Sequence, residues 1–148
     1  MTIRLADAAA TEEFGRRLAA HLRPGDVVTL TGTLGAGKTS LARGLLSALG
    51  LPGEAPSPSF AIVQPYAPPE TMIPVLHVDL YRLDGPEQME ELGLDEALWD
   101  SALIVEWPDR AGEGAWPQAL ALTIELDPGG GRILTAKIPS GWENRWPI

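Results

Sequence analysis

The sequence contains no cysteine and has little positive charge. The absence of cysteine excludes disulfides, thiolate metal sites and thiol nucleophiles. The chain has only two lysines, Lys38 and Lys137, no basic cluster, and a formal net charge of −9 over 148 residues. A protein that binds nucleic acid by itself needs a positive surface that displaces phosphate counterions. We therefore expect any contact with nucleic acid to be made through a partner.

Long apolar runs and a secretory signal are also missing from the sequence. No apolar stretch approaches the ~20 residues that a membrane-spanning helix needs. The N-terminal stretch MTIRLADAAA has no apolar core followed by a cleavage site. A cytoplasmic protein without a membrane partner is the default expectation. The length, with 45% hydrophobic residues, predicts one globular domain over residues 1–148.

Local patterns predict helices alternating with strands. We expect Thr11 to cap the first helix at its N-terminus and Gly50 to cap the second at its C-terminus. The predicted fold is α/β, with a mixed, mostly parallel central sheet flanked by helices. Antiparallel strands are expected after the first helix and in a C-terminal β-hairpin. Helices are predicted over residues 11–22, 38–49, 86–92 and 94–99, and strands over residues 27–31, 60–64, 75–80, 102–105, 120–126 and 132–138.

The stretch GTLGAGKT, residues 32–39, matches the phosphate-binding pattern G-x-x-x-x-G-K-[ST] in full. A predicted strand precedes it and a predicted helix follows it, as this pattern requires. The glycines let backbone N–H groups point at a phosphate, and the helix N-terminus favours the same negative charge. Lys38 supplies a point charge for the β- and γ-phosphates, and Thr39 offers a hydroxyl to Mg²⁺. These features predict a P-loop nucleoside triphosphatase fold.

A magnesium site of this kind also needs a carboxylate at the end of a second buried strand. Asp79 in VLHVD and Glu106 in ALIVE both qualify, and the pattern alone leaves the choice open. His77 lies on the same strand face as Asp79, but a lone histidine is more typical of a hydrogen-bonded structural residue than of a base. Asn144 is the only asparagine, so the Asn-Lys-x-Asp motif with which GTPases read guanine is absent.

Five separated stretches occur in order along the chain. They are GTLGAGKTSLARGLL, SPSF at 57–60, HVDLYRL at 77–83, ELGLDEAL at 91–98 and VEWPDR at 105–110. Together they resemble the bacterial TsaE family, also called YjeE. HVDLYRL with a downstream VEWP is more selective than the phosphate loop, which by itself indicates only a superfamily. The chain departs from the family at Thr33, usually Asp, and at Ser59, usually Thr, and we expect both roles to be kept. The likeness covers nearly the whole chain.

The resemblance implies a weak, Mg²⁺-dependent P-loop ATPase required to form threonylcarbamoyladenosine beside the anticodon of tRNA. It implies that the protein acts with TsaB and TsaD, is stimulated by them, and reaches tRNA only through them. Thr39 and Glu106 would hold Mg²⁺, Lys38 and Asp79 would be catalytic, and SPSF would form a switch-like loop. The residues expected to bind ATP or ADP are Gly32, Thr33, Leu34, Gly35, Ala36, Gly37, Lys38, Thr39, Ser40, Thr11 and Arg132.

Two other functions are compatible with a phosphate-binding loop. A small-molecule kinase is the main alternative, but it usually needs an arginine-bearing lid over the acceptor. The acidic segment 83–99 is short of arginine, which disfavours a kinase. The third function is an adaptor that binds ATP or ADP with negligible turnover. The combination of Lys38, Thr39, Asp79 and Glu106 favours at least slow hydrolysis over such an adaptor.

Overall fold

The computed structural model describes residues 1–33, 35–52, 63–83, 86–112 and 114–146. These residues form a seven-stranded mixed sheet with the strand order β1-β7-β6-β2-β5-β4-β3. The strands are β1 Thr2–Leu5, β2 Val27–Thr31, β3 Val63–Tyr66, β4 Val75–Asp79, β5 Ala102–Glu106, β6 Leu120–Leu126 and β7 Arg132–Lys137.

Strand β2 lies at the centre of the sheet, between β5 and β6, and runs parallel to both. Strand β4 continues the parallel part beyond β5. The outer strands are antiparallel: β3 pairs with β4, β6 forms the predicted C-terminal hairpin with β7, and β1 pairs with β7. The chain segment that follows β2 therefore leaves the sheet at its middle, next to the carboxyl ends of the parallel strands.

The α-helices of the described residues are α1 Ala8–Ala19, α2 Lys38–Ala48 and the single turn α3 Leu94–Ala97, and 3₁₀ helices cover Pro86–Leu92, Pro108–Ala111 and Ser140–Trp142. Helices α1 and α2 pack against each other through glycines. A Cβ on Gly15 would lie 2.1 Å from the carbonyl oxygen of Leu41, and one on Gly44 would lie 1.9 Å from that of Glu12. Glycine therefore sets how closely the two helices approach.

Alternating residues of the central strands fill two hydrophobic cores on opposite faces of the sheet. Val28 and Leu30 of β2 belong to the core that includes α1 and α2. Val27 of the same strand, with Leu103 and Val105 of β5, belongs to the core that also contains Leu83 and Leu94. The central strands are buried on both faces, which explains why VVTLT and ALIVE are nearly continuous apolar runs.

The N-terminal region differs from the sequence-based prediction. Helix α1 begins at Ala8, and its N-cap is Asp7, whose carboxylate accepts a 2.8 Å hydrogen bond from the backbone N–H of Ala10. The prediction that Thr11 caps this helix is wrong: Thr11 is buried in the second turn, and its hydroxyl donates to the carbonyl of Asp7. Strand β1, before this helix, was not predicted at all.

Other element boundaries agree with the predictions within a few residues. Gly50 has a φ of 113° and follows α2 as the predicted C-terminal cap. Strand β3 extends to Tyr66, beyond the predicted end at residue 64, while residues 60–62 lie outside the described residues. The segment predicted as a helix over 86–92 is a 3₁₀ helix. None of the helices in the described residues combines the length and the apolar character that crossing a membrane requires.

Candidate nucleotide site

The glycine-rich loop joins the end of β2 to the first residue of α2, as its motif predicts. Gly37 is the N-cap of α2 and has a φ of 115°, a left-handed conformation that favours glycine. Gly32 passes so close to β6 that a Cβ there would lie 2.3 Å from the carbonyl oxygen of Ile124. The backbone at Gly32 is thus packed directly against strand β6. Leu34 lies outside the described residues.

Lys38 opens helix α2 and is only 5% exposed. Its Nζ donates a hydrogen bond to the carbonyl oxygen of Gly32 and lies 3.4 Å from that of Thr33. Burial lowers the pKa of Lys38, while the negative charges of Glu106 and Asp79 act to raise it. The ammonium group therefore turns back over the preceding loop and lies within electrostatic range of both predicted acids.

Asp79 and Glu106 are register partners at the carboxyl ends of the parallel strands β4 and β5. Glu106 is 3% exposed, and its Oε2 lies 2.7 Å from Nε2 of His77, which is 1% exposed. A buried carboxylate needs such a partner because leaving it without hydrogen bonds costs several kcal/mol. Strand pairing thus brings the two predicted acids together and adds a histidine to them.

Asp79 is less buried than Glu106, and its Oδ1 accepts a 2.9 Å hydrogen bond from the backbone N–H of Tyr81. Burial raises the pKa of Asp79, the hydrogen bond from Tyr81 opposes this, and the charge of Glu106 raises the pKa further. The positive charge of Lys38 lowers it, but the net shift is upward. The folded protein therefore disfavours the ionised form of Asp79 relative to an aspartate in water. Tyr81 lies beyond the end of β4.

Trp107 follows Glu106 and forms a wall of the site. Its backbone has φ 59° and ψ 52°, a left-handed conformation rare for a residue with a large side chain. The Nζ of Lys38 lies 3.9 Å from the centroid of the Trp107 ring, and the ring of Tyr81 lies 4.9 Å from it, centroid to centroid. The strained backbone places an aromatic face against the lysine, in the geometry of a cation–π contact.

Thr11 and Arg132, which are distant in the sequence, meet at Gly37. A Cβ built on Gly37 would lie 3.0 Å from Nε of Arg132 and 3.3 Å from Cγ2 of Thr11. The Nε of Arg132 is buried and has no hydrogen-bond partner in the described part of the chain. Helix α1 and the start of β7 thus contribute one residue each to the rim of the loop. An unpaired donor at this point suits a polar or anionic ligand.

The described residues bring most of the predicted site into one region, with Thr39 and Ser40 in the first turn of α2. The SPSF stretch, residues 57–60, lies outside the described residues, so its switch-like role stays a prediction. Sequence reasoning missed two contacts, that of His77 with Glu106 and that of Trp107 with Lys38. The adjacency of tryptophan to glutamate in VEWP was the available signal for the second contact.

The donor set fits a nucleotide with Mg²⁺. Mg²⁺ is usually held by one or two carboxylates together with substrate phosphates and waters. The residues of the right type are Glu106, Asp79 and the hydroxyl of Thr39, beside the ammonium of Lys38. In the described residues no three His, Asp or Glu side chains form a metal-binding cluster.

Comparisons with known proteins identify the family. The TsaE family model, described as threonylcarbamoyl adenosine biosynthesis protein TsaE, matches residues 5–133. The tRNA threonylcarbamoyladenosine biosynthesis protein TsaE of Streptomyces coelicolor is 46% identical over 114 residues, covering 76% of this chain and 77% of that protein. The protein of the same name from Synechocystis is 45% identical over 113 residues, covering 72% and 69%. The crystal structure of Bacillus subtilis YdiB matches with a TM-score of 0.80 and 29% identity, covering 98% of this chain and 89% of that one. The chain therefore belongs to the TsaE family.

Proposed function

We propose that this protein is the ATP-binding and ATP-hydrolysing component of tRNA threonylcarbamoyladenosine biosynthesis, and that its architecture is a P-loop nucleoside triphosphatase fold. The observation that carries the proposal is that Lys38, the first residue of the helix after the glycine-rich loop, lies within electrostatic range of two paired strand-end acids, Asp79 and Glu106. Membership of the TsaE family, whose relatives carry the name of this pathway, supports the assignment of the pathway.

The loop and helix α2 would hold the phosphates of ATP. The N-terminus of a helix carries a partial positive charge and unpaired N–H groups, which suit phosphate oxygens. Lys38 contacts the carbonyl oxygens of Gly32 and Thr33, and we propose that phosphate oxygens take over these contacts. Thr11 and Arg132, beside Gly37, would contact the nucleotide at the opposite rim of the loop.

Mg²⁺ would be held by the hydroxyl of Thr39 and the carboxylate of Glu106, and when bound it would offset negative charge on the β- and γ-phosphates. Glu106 suits this role because it is buried next to the loop and one of its oxygens is fixed by His77. Thr39 suits it because it lies in the first turn of α2, directly after Lys38.

Asp79 would position the attacking water. Hydrolysis forms a bond between the water oxygen and the γ-phosphorus and breaks the bond to the bridging oxygen of ADP. The backbone N–H of Tyr81 holds Oδ1 of Asp79, and Oδ2 would accept a hydrogen bond from the water. The raised pKa of Asp79 makes this carboxylate a better proton acceptor than an ordinary aspartate. Lys38 would stabilise the negative charge of the transferred group.

The expected partners are TsaB and TsaD, and tRNA would be reached through them. A net charge of −9 disfavours direct binding to RNA, since nonspecific affinity depends on positive charges that meet phosphates. Docking on a protein complex removes the need for such a surface.

The test is the ATPase rate of the purified chain, alone and with TsaB and TsaD, with Lys38→Ala as the control. We expect slow Mg²⁺-dependent turnover that rises when the partners are added, and no turnover in the Lys38→Ala variant. Removing a charge that acts on the transition state typically costs about 10²- to 10³-fold or more in rate. Normal turnover in Lys38→Ala would contradict the assignment of the nucleotide site to the loop that contains Lys38.

An ATPase rate that does not change when TsaB and TsaD are added would contradict the proposed role. It would favour the alternative, a small-molecule kinase. A screen of phosphoryl acceptors with labelled ATP then separates the two functions. Transfer of label to an acceptor in preference to water would identify a kinase.

A further inference from the structure

The buried contact between His77 and Glu106 joins two neighbouring strands at the edge of the site. Nε2 of His77 lies 2.7 Å from Oε2 of Glu106, and the two side chains are 2% and 4% exposed. The register pairs His77 with Ile104 and Asp79 with Glu106, so the histidine reaches the glutamate diagonally across the two strands. A short bond between buried groups on rigid strands fixes the orientation of the carboxylate.

The proton of this hydrogen bond belongs on Nε2 of His77. A carboxylate can only accept, so the histidine is the donor. The other ring nitrogen, Nδ1, is buried and has no hydrogen-bond partner among the described residues. An N–H at Nδ1 would be a buried donor without an acceptor, which costs more than an unused lone pair. The tautomer with its proton on Nε2 is therefore the one that the surroundings favour.

The hydrogen bond with His77 uses only one of the two carboxylate oxygens of Glu106. It engages Oε2 and does not involve Oε1. The ammonium of Lys38 is near enough for the charge of Glu106 to act on it. The carboxylate is thus fixed through Oε2 by the histidine and lies within electrostatic range of Lys38.

We propose that His77 is a positioning residue that donates its Nε2–H to Oε2 of Glu106 and so reserves Oε1 for the nucleotide-bound Mg²⁺. The inference rests on the proposed function, in which Glu106 is a magnesium ligand. Side chains that orient a metal ligand without touching the metal are typically worth about 10- to 100-fold in metal affinity. His77 contributes this factor through Glu106 and makes no contact of its own with nucleotide.

The first test uses the unaltered protein. The chain has two histidines, His21 and His77, so the imidazole region of a ¹⁵N NMR spectrum resolves the residue of interest next to an internal control. We expect the Nε2–H signal of His77 to shift when Mg²⁺ is added to the ADP complex, while the signals of His21 stay in place. Unchanged His77 signals in a sample that has bound Mg²⁺ would overturn the proposal.

The second test compares two amides at position 77. In His77→Gln the side-chain N–H reaches about as far as Nε2, whereas in His77→Asn it stops near the position of Nδ1. We expect His77→Asn to weaken Mg²⁺ binding to the ADP complex by about 10- to 100-fold, measured by calorimetry, and His77→Gln to stay within about threefold of the unaltered protein. Affinity for ADP in EDTA should be unchanged in both variants.

The outcomes separate this inference from the proposed function. Equal Mg²⁺ affinity in His77→Asn and the unaltered protein would overturn the role of His77 and leave the nucleotide site standing. Failure of the unaltered protein to bind Mg²⁺ and ADP would overturn the proposed function and this inference with it. Circular dichroism checks that both variants fold, and if His77→Asn unfolds, the NMR result on the unaltered protein decides.

Discussion

At the scale of single residues, the site contains two groups whose ionised forms are disfavoured by their surroundings. Burial lowers the pKa of Lys38 and raises that of Asp79, so both shifts disfavour the charged forms that the proposed chemistry needs. The backbone of Trp107 is held in a left-handed conformation beside them. Such strain and buried charge are common where a protein binds ligands, because the same features that lower stability prepare the site.

Replacing Asp79 should therefore stabilise the protein while it removes activity. Because the pKa of Asp79 in the folded state lies above its ordinary value of 3.8, the ionised form lowers the free energy of unfolding at neutral pH. This penalty disappears as the pH falls through the raised pKa towards 3.8. We expect Asp79→Asn to raise Tm at pH 7 by on the order of 1–2 °C, with no gain at a pH below the ordinary value.

The same variant should keep its affinity for ADP and lose most ATP hydrolysis, and Asp79→Ala should do likewise. Asp109→Asn, at an exposed position, removes the same charge and serves as the control. Thermal melts at several pH values and a nucleotide titration check these expectations. Loss of ADP binding in Asp79→Asn would mean that Asp79 holds the metal directly or supports the loop.

The contact of Trp107 with Lys38 can be tested with Trp107→Leu. Leucine keeps a Cβ, so the left-handed backbone remains equally strained, but the aromatic face 3.9 Å from Nζ is lost. Cation–π contacts are worth about 0.5–2 kcal/mol, which predicts a kcat/KM for ATP that is roughly 2- to 30-fold lower. Trp99→Leu, at a position 90% exposed, should leave kcat/KM unchanged. Equal kinetics for Trp107→Leu and the parent would show that the ring does not support the lysine.

At the scale of elements, the close approach of α1 and α2 determines where Thr11 lies. Gly15 and Gly44 let the backbone of each helix contact the other, and α1 then carries Thr11 to the rim of the glycine-rich loop at Gly37. A residue that is remote in sequence reaches the site because two positions on neighbouring helices lack side chains. The packing of the helices and the shape of the site are therefore linked.

A methyl group added where α1 and α2 cross should lower the free energy of unfolding. The Cβ in Gly44→Ala would lie 1.9 Å from the carbonyl oxygen of Glu12, so the helices must move apart. We expect a loss of about 2–3 kcal/mol in the free energy of unfolding, measured by denaturant titration. Gly141→Ala, where a Cβ meets nothing within 4 Å, should stay within about 0.5 kcal/mol of the parent. Similar losses in both variants would contradict the packing argument.

Some helices and strands could be predicted from the sequence, and others could not. Residues 27–31 and 38–49 were predicted from local signals, because a β-branched run, a glycine-rich loop and a spaced leucine pattern are each complete within a few residues. Strand β1 was missed because TIRL is short and half-exposed, and its pairing with β7 is a long-range contact. The true cap, Asp7, precedes a run of alanines that lacks the apolar spacing on which the prediction relied.

The site was predicted unevenly for a related reason. The positions of Asp79 and Glu106 near strand ends can be inferred from the sequence, because Glu106 directly follows ALIV and Asp79 follows VLHV, which is apolar except for His77. The contact of His77 with Glu106 depends on the register between β4 and β5, which no local pattern contains. Similarly, the ring of Trp107 meets Lys38 only because the backbone adopts a left-handed conformation after Glu106.

At the scale of the whole molecule, the net charge of −9 disfavours direct binding of the protein to RNA. We expect no saturable binding of tRNA by the purified chain up to about 100 µM at physiological salt, because nonspecific binding depends on released counterions. Fluorescence anisotropy with labelled tRNA checks this, with a basic RNA-binding domain as the positive control. Micromolar binding that falls steeply with salt would reveal a positive surface that the sequence does not suggest.

The pairing of β1 with β7 also determines when the fold can be completed during synthesis. Thr2 of β1 is synthesised long before its register partner, Thr135 of β7. Such a distant pairing forms late, because closing a long loop precedes any gain from the contact. Arg132, the first residue of β7, arrives at Gly37 in the same event. A nascent chain can therefore form the glycine-rich loop early, but the rim of the nucleotide site is complete only when the last strand joins the sheet.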